Sequence, residues 1–244
     1  MQANAQTSAS DDRYDDMYDD SRDTALDGGF DGGFDGGFDE SSGSAADKSL
    51  AYYAAPDFAD YLAFVPQHRA VLAARLAEIR IAPDEQLFFV TYPDTIHWLA
   101  VADDSPATLV VLPLVAHVAA LSPRLDLRVL GEDEAAAALV CLTGDPDAAA
   151  LLEDADLPLL LAFDEEWQYQ ASWGPHPAAI DPYLEQWFAA HSAAESEPEE
   201  MDESLLAQLT QEMWLWYNSV LNQACAAELR AFLAGMQSAE PDAA

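Results

Sequence analysis

The order of apolar segments between His97 and Ala190 restricts the fold of this chain more than any other feature of its sequence. Short apolar or alternating runs predict strands, and longer Ala- and Leu-rich runs predict helices. The predicted order is strand, helix, strand, helix, strand, strand, helix, at residues 97–101, 106–121, 125–130, 132–142 with 147–152, 157–163, 168–173 and 177–190. This alternation favours an α/β domain.

Helical segments flank this block on both sides. Before it, apolar residues recur at helical spacing from Phe58 to Ile79, and Pro66 is placed to begin a second helical piece. Residues 87–90, Leu-Phe-Phe-Val, predict a strand. After the block, an acidic linker at residues 193–203 precedes a long helix at 204–235, whose Trp-rich apolar stripe should dock on the domain. Residues 238–244 are expected to be a disordered end.

The first 49 residues differ in composition from the rest of the chain. They contain 13 acidic residues against Arg13, Arg22 and Lys48, and they repeat Asp-Gly-Gly-Phe three times at residues 27–38. Such a segment cannot bury enough apolar surface to offset the entropy of ordering its glycines. We expect a disordered acidic tail, joined to a folded domain at residues 50–237. The tail is either a multivalent arm with its repeated phenylalanines as contacts, or a repeat tract that keeps the protein soluble.

Acidic residues dominate the folded part as well. The whole chain has a formal charge of −36, and residues 50–244 retain 32 acidic residues against six arginines. This charge argues against nucleic acid and anionic lipid as partners, because both require Lys- and Arg-rich surfaces. A pervasive acidic surface is typical of proteins adapted to high internal salt. The alternative is an acidic decoy that captures a basic partner.

Neither a membrane nor a secretory location is indicated by the sequence. Residues 105–123 carry no charge, but three prolines and His117 interrupt them, which favours a buried helix of a soluble domain. The first thirty residues lack a basic start followed by an apolar run, so no secretory signal is expected. With only Cys141 and Cys225, a disulfide framework or Cys-rich metal site is excluded. We therefore expect a cytoplasmic protein.

Four stretches occur in an order that points to a known family. They are residues 99–113 with Leu112-Pro113, Leu157-Pro158 before a strand, residues 173–177 (Trp-Gly-Pro-His-Pro), and Trp216-Tyr217-Asn218 with Glu228-Leu229. In this order, over residues 56–236, they resemble a bacterial thioredoxin-like family whose members carry a Cys-Pro-Asp-Cys-type motif. The resemblance implies a thioredoxin-like fold, in which a central mixed sheet is flanked by helices, with an N-terminal helical segment and a long C-terminal helix added. It also places Pro158 at the cis-proline of that fold.

The motif itself departs from the family. Counting back from Leu112-Pro113 places Ser105, Pro106, Ala107 and Thr108 where the family has its two cysteines. Dithiol exchange needs a thiolate at a helix N-terminus and a second thiol three residues later. Serine and threonine cannot form a disulfide, so this reaction is excluded at that site. Ser and Pro here are instead typical of a helix N-cap and first helical position.

Other chemistry-bearing residues have mostly structural interpretations. Cys141 and Cys225 lie in apolar surroundings and are expected to be buried, unreactive thiols. The five histidines show no metal-ligand spacing, and His97 and His117 fall on apolar elements. Asp103 and Asp104 precede a helix, where carboxylates favour the positive end of the dipole. No phosphate loop or metal site is predicted, and no cofactor is expected.

The sequence thus favours a non-catalytic binding or adaptor protein with a protein partner. The groove implied by the resemblance lies between residues 105–108, Pro158 and the loop containing Trp173, Gly174, Pro175 and His176. Two other hypotheses stay open. One is a thiol-disulfide or peroxide reductase that uses Cys141 or Cys225, and the other is the acidic decoy.

Overall fold

The computed structural model describes residues 44–153, 155–191 and 203–238 of the chain. The elements follow in chain order as α1 (Ala45–Ala54), α2 (Phe58–Phe64), α3 (Arg69–Glu78), α4 (Pro83–Val90), β1 (Ile96–Ala102), α5 (Pro106–Ala119), β2 (Leu125–Gly131), α6 (Glu132–Thr143), α7 (Ala150–Glu153), β3 (Leu159–Phe163), β4 (Tyr169–Trp173), α8 (Asp181–His191), α9 (Glu203–Trp216) and α10 (Asn222–Ser238). Short 3₁₀ turns precede α7 and α8, and a π-helical turn at Tyr217–Leu221 joins α9 to α10.

The four strands form one mixed sheet in the order β2-β1-β3-β4. β1 pairs with β2 in parallel and with β3 antiparallel, and β3 pairs with β4 antiparallel. All seven residues of β1 are buried, as expected for a central strand covered on both faces. The order confirms the thioredoxin-like arrangement of a central mixed sheet flanked by helices, with a long helical segment at the C-terminal end.

Two hydrophobic cores lie on opposite faces of this sheet, because successive β1 side chains alternate between them. Trp98 and Ala100 belong to the core that α5 covers together with α3, α4, α9 and α10, and we call it the α5-side core. Leu99 and Val101 belong to the core that α1, α6 and α7 cover, and we call it the α6-side core.

The strand predicted at residues 87–90 is wrong, since these residues end helix α4. Pro83 occupies the first turn, and Asp84 and Glu85 favour the positive end of the helix dipole. Within the apolar run, Phe89 is buried, whereas Leu87 and Val90 are 62% and 53% exposed. The run is therefore part of a partly buried helix. Four consecutive apolar residues are compatible with either a strand or a helix, so the sequence did not distinguish them.

The predicted end of the tail at residue 49 is also corrected, because α1 begins at Ala45. Ser44 and Asp47 form a capping box, in which each side chain binds the other residue's backbone N–H. Lys48 and Tyr52 are buried, so this helix is anchored to the domain by its side chains. Residues 1–43, most of the predicted linker at 193–203, and residues 239–244 lie outside the described residues.

The long C-terminal helix is interrupted at one point. A π-helical turn separates α9 from α10, and α10 ends at Ser238 rather than near residue 235. Its buried residues Leu209, Met213, Leu229 and Leu233 dock on the α5-side core, as the apolar stripe predicted. Within the described residues, no helix combines the length and apolarity that crossing a membrane requires.

Candidate functional site

Ser105 begins helix α5 as its N-cap. Its backbone is extended (φ −67°, ψ 156°), and its Oγ accepts a hydrogen bond from the Thr108 N–H at 3.2 Å. Pro106 follows at the first helical position, where the missing N–H costs nothing. Residues 105–108 therefore lie at the N-terminus of the helix after β1, as the sequence predicted.

The carboxylate of Asp103 holds this helix start together. Its Oδ1 accepts hydrogen bonds from the Thr108 hydroxyl at 2.6 Å and from the Ser105 N–H at 3.1 Å. The two hydroxyl oxygens of Ser105 and Thr108 are 3.3 Å apart, and Thr108 is buried. Asp104 points elsewhere, with its Oδ1 3.0 Å from His68 Nε2. Asp103 thus acts as a local hydrogen-bond acceptor, a role that the helix-dipole interpretation missed.

The chemistry available to Ser105 is limited by its partners. Its Oγ contacts Thr108, and the Leu157 carbonyl oxygen accepts from it at 3.5 Å. Neither partner is a base that could remove the hydroxyl proton, which nucleophilic serines require. The direct contacts of Ser105 are therefore those of a helix cap.

The contact with Leu157 also brings the proline loop to the helix start. The Leu157–Pro158 peptide bond is cis, as the resemblance predicted, and Pro158 is buried just before β3. Two of the three chain segments that were expected to border a groove therefore meet at Ser105 and Leu157.

Gly174 brings the third segment against the proline loop. Its φ is +144°, in a region that side chains rarely adopt, and a Cβ placed there would lie 2.2 Å from the Pro158 carbonyl oxygen. The next peptide bond, Gly174–Pro175, is also cis. Glycine is therefore required here both by the backbone conformation and by the close approach of the two loops.

Glu228 on α10 fixes the far side of the Trp173 loop. Its two carboxylate oxygens accept from the Trp173 indole N–H at 3.3 Å and from the Ala178 N–H at 2.9 Å. Sequence reasoning cited Glu228 only as part of the resemblance and assigned it no role. The signal was present, because an acidic residue beside Leu229 on a buried helix stripe needs partners.

His176 lies in the same loop and is half-buried. Its Nδ1 is 4.0 Å from Asp181 Oδ1, too long for a hydrogen bond. Its part in a binding groove stays a prediction.

The two cysteines are free and lie on different faces of the sheet. Cys225 is fully buried in the α5-side core, and burial, with a smaller effect of Glu228, raises its pKa far above the ordinary range of a thiol. Cys141 is half-buried on α6, with its Sγ 4.0 Å from the Asp47 carbonyl oxygen on α1. The sheet separates these thiols, so they cannot act as a redox pair.

Histidines and acidic residues form no metal centre in the part of the chain that is described, where no group of three ligand-type side chains comes together. His97 stacks on Trp167 with ring centroids 4.0 Å apart, and desolvation lowers its pKa. His117 on α5 also has a pKa lowered by desolvation, with smaller contributions from Arg80 and Arg75.

A family model and solved structures were compared with this chain. The family model described as "Thioredoxin" matches residues 55–188. A crystal structure of an HIV epitope scaffold superposes with a TM-score of 0.53 at 14% identity, covering 77% of this chain and 97% of the scaffold. A protein of unknown function from Pseudomonas aeruginosa gives a TM-score of 0.48 at 15% identity, covering 70% of this chain and 96% of its own. A search of curated proteins found no match.

Proposed function

The chain belongs to the thioredoxin family, and on this premise we propose that it is a cytoplasmic binding or adaptor protein without dithiol chemistry. The observation that carries the proposal is the hydrogen-bonded Ser105–Thr108 pair beside the cis Leu157–Pro158 bond. In this proposal, the two hydroxyls take the place that the reacting sulfurs have in redox-active relatives. We also propose that the chain is related, within this family, to the members that carry a Cys-Pro-Asp-Cys-type motif.

The groove would bind an extended segment of a partner protein between Ser105, Pro158 and the loop from Trp173 to His176. Redox-active relatives hold extended substrates by backbone hydrogen bonds at the equivalent place. Trp173 supplies apolar surface, and Glu228 fixes its ring. Aromatic anchors of this kind dominate the energy of many interfaces.

A reductase that works through Cys141 or Cys225 has less support. Cys225 is inaccessible and its raised pKa disfavours the thiolate, which is the reactive form. Cys141 would act alone, without a resolving thiol on its side of the sheet.

The test is affinity capture with immobilised protein, comparing the full chain with a chain lacking residues 1–43. This truncation leaves helix α1 complete, whereas a cut at residue 49 would remove half of it. The decisive variant is Trp173→Ala, and the matched control is Tyr169→Ala on the same strand, 40% exposed at its other end.

We expect a partner that both chain lengths retain, that Tyr169→Ala retains, and that Trp173→Ala loses. Thermal unfolding of the two variants controls for loss of fold. A partner that needs residues 1–43 and ignores Trp173 would assign binding to the tail and overturn the groove.

A further inference from the structure

A cavity lies on the other side of the α5 start, away from the proline loop. It has a volume of about 610 Å³ and opens where β1 and β2 end, bounded by α2 and by the start of α6. β1 and β2 run parallel, so both present their carboxyl ends at this edge.

This edge is a topological switch point, where the connections that follow two neighbouring strands go to opposite faces of the sheet. After β1 the chain enters α5 on one face of the sheet, and after β2 it enters α6 on the opposite face. The connections therefore diverge and leave a crevice between the two strand ends. In open α/β sheets, ligands bind preferentially in crevices of this kind.

The lining of this cavity combines an apolar wall with an acidic rim. Tyr61, Phe64 and Val65 contribute the apolar wall from the end of α2, together with Val129 of β2. Phe64 is 72% exposed, which leaves a large aromatic side chain available for contact at the cavity mouth.

Five carboxylates surround the same cavity: Asp103, Asp104, Glu132, Asp133 and Glu134. Its described lining contains no Lys or Arg, and Asp104 of this set pairs with His68. Glu132, Asp133 and Glu134 are exposed in the first turn of α6. The positive end of the helix dipole is equivalent to about half an elementary charge, which cannot neutralise three carboxylates.

We propose that this switch-point cavity docks an extended, basic segment of a partner protein, with an apolar side chain seated against Phe64 and flanking Lys or Arg side chains paired with the acidic rim. Charge complementarity selects this occupant. The chain's own first 43 residues carry 12 acidic residues against two arginines and would be repelled, as would nucleic acid. The proposal concerns a different surface from the cis-proline groove and does not depend on it.

The experiment measures fluorescence anisotropy of a dye-labelled Lys-Leu-Lys-Phe-Lys peptide with the full chain. The cavity variant is Glu132→Gln with Asp133→Asn. The control, Asp84→Asn with Glu185→Gln, removes the same charge, and Asp84 is likewise exposed in the first turn of its helix. We expect the cavity variant to weaken binding about threefold to tenfold and the control less than about twofold, given the strength of exposed charge pairs.

Phe64→Ser tests the apolar wall, and its exposure makes loss of fold a minor concern. It should weaken binding of Lys-Leu-Lys-Phe-Lys and leave binding of Lys-Gly-Lys-Gly-Lys unchanged. Equal weakening by the cavity and control charge variants would overturn the proposal, since binding would then follow the general field of the protein.

Two further outcomes would also overturn it. If Trp173→Ala abolishes peptide binding while the cavity variants do not, the peptide occupies the cis-proline groove, which supports the proposed function alone. If the cavity variants change the sedimentation of the protein without peptide, the occupant is a second copy of this chain.

Discussion

Ser105 and Thr108 keep the spacing of a dithiol motif, and their hydroxyl oxygens are 3.3 Å apart. Their hydrogen bonds to Asp103 and the Leu157 carbonyl hold them at the start of α5. At the residue scale, the proposal that these two hydroxyls replace a pair of thiols can therefore be tested by substituting the two residues.

The double variant Ser105→Cys with Thr108→Cys should form an internal disulfide under mild oxidation. Two cysteines three residues apart at a helix start have the spacing that the exchange reaction uses. The measurement is the mass of the oxidised protein after alkylation, with Ser105→Cys alone as the control that cannot close the bond. Full alkylation of both new thiols after oxidation would contradict the retained geometry.

The burial of His97 should make the free energy of unfolding depend on pH. Its ring is 6% exposed and stacked on Trp167, and burial lowers its pKa, with Asp126, Asp164 and Glu165 opposing that shift. The unfolded chain therefore takes up the proton first as the pH falls below the ordinary value of 6.5. The free energy of unfolding should fall there, by at most about 1.4 kcal/mol per pH unit for one such group.

The variant His97→Phe should lose this part of the pH dependence. Urea unfolding at pH values between 5 and 7 should give a shallower slope for the variant than for the natural chain. Above pH 7.5 the two stability curves should run parallel, because His97 is then neutral in both states. Identical slopes below pH 6.5 would contradict the assignment.

Helices α3 and α10 are joined through one buried guanidinium. Arg75 on α3 is fully buried and donates to the Val110 carbonyl, to Asn218 in the π-helical turn at 2.9 Å, and to Asn222 at the start of α10. Burial lowers the pKa of Arg75 to about 10, so it remains charged at neutral pH. At the element scale, this contact selects where the α9–α10 segment sits, since an unpaired buried charge would be costly.

Replacing Arg75 with Ala should lower the free energy of unfolding by about 3 kcal/mol or more, because it leaves several buried polar partners and a cavity. The control is Arg69→Ala on the exposed side of the same helix, expected to change stability by less than about 0.5 kcal/mol. Chemical denaturation measures both. A small effect at Arg75 would show that the terminal helices dock without it.

The link from α10 to the Trp173 loop is equally specific. Glu228→Ala should remove both hydrogen bonds and speed hydrogen exchange at the Ala178 amide, while Glu185→Gln at an exposed position of α8 should leave it unchanged. Glu228→Gln keeps one acceptor oxygen, so its exchange rate at the Ala178 amide should lie between those of the other two variants. Unchanged exchange in Glu228→Ala would show that Gly174 and Pro158 hold the loop by themselves.

The whole molecule carries a charge of −36, spread over both the tail and the folded domain. Such a charge destabilises the compact state through repulsion between its carboxylates. Added salt shortens the range of this repulsion from about 10 Å at 0.1 M to about 3 Å at 1 M. At this scale, we expect stability to depend on the ionic strength of the medium.

The midpoint of thermal unfolding should therefore rise between low salt and about 1 M sodium chloride, where the screening length falls to about 3 Å. Chloride is preferred to sulfate because sulfate also stabilises folded proteins by exclusion from their surface. Circular dichroism follows the transition. A midpoint that falls or stays constant would remove the high-salt interpretation of the composition.

The sequence by itself determined what depends on neighbours along the chain. Apolar periodicity gave the order of the elements from β1 to α8, and Ser105-Pro106 identified the start of α5. The absence of cysteine from residues 1–140 excluded a dithiol there whatever the exact register. The run at residues 87–90 failed because four apolar letters fit a strand and a helix equally.

Tertiary structure decided everything that depends on contacts between distant segments. The fit of Gly174 against Pro158, the link through Glu228, the burial of Arg75 and the separation of Cys141 from Cys225 each join parts of the chain that no local pattern relates. Periodicity shows which side of an element is buried, but not against what. The physical reason is that close packing and the pairing of buried polar groups are set by the assembled fold.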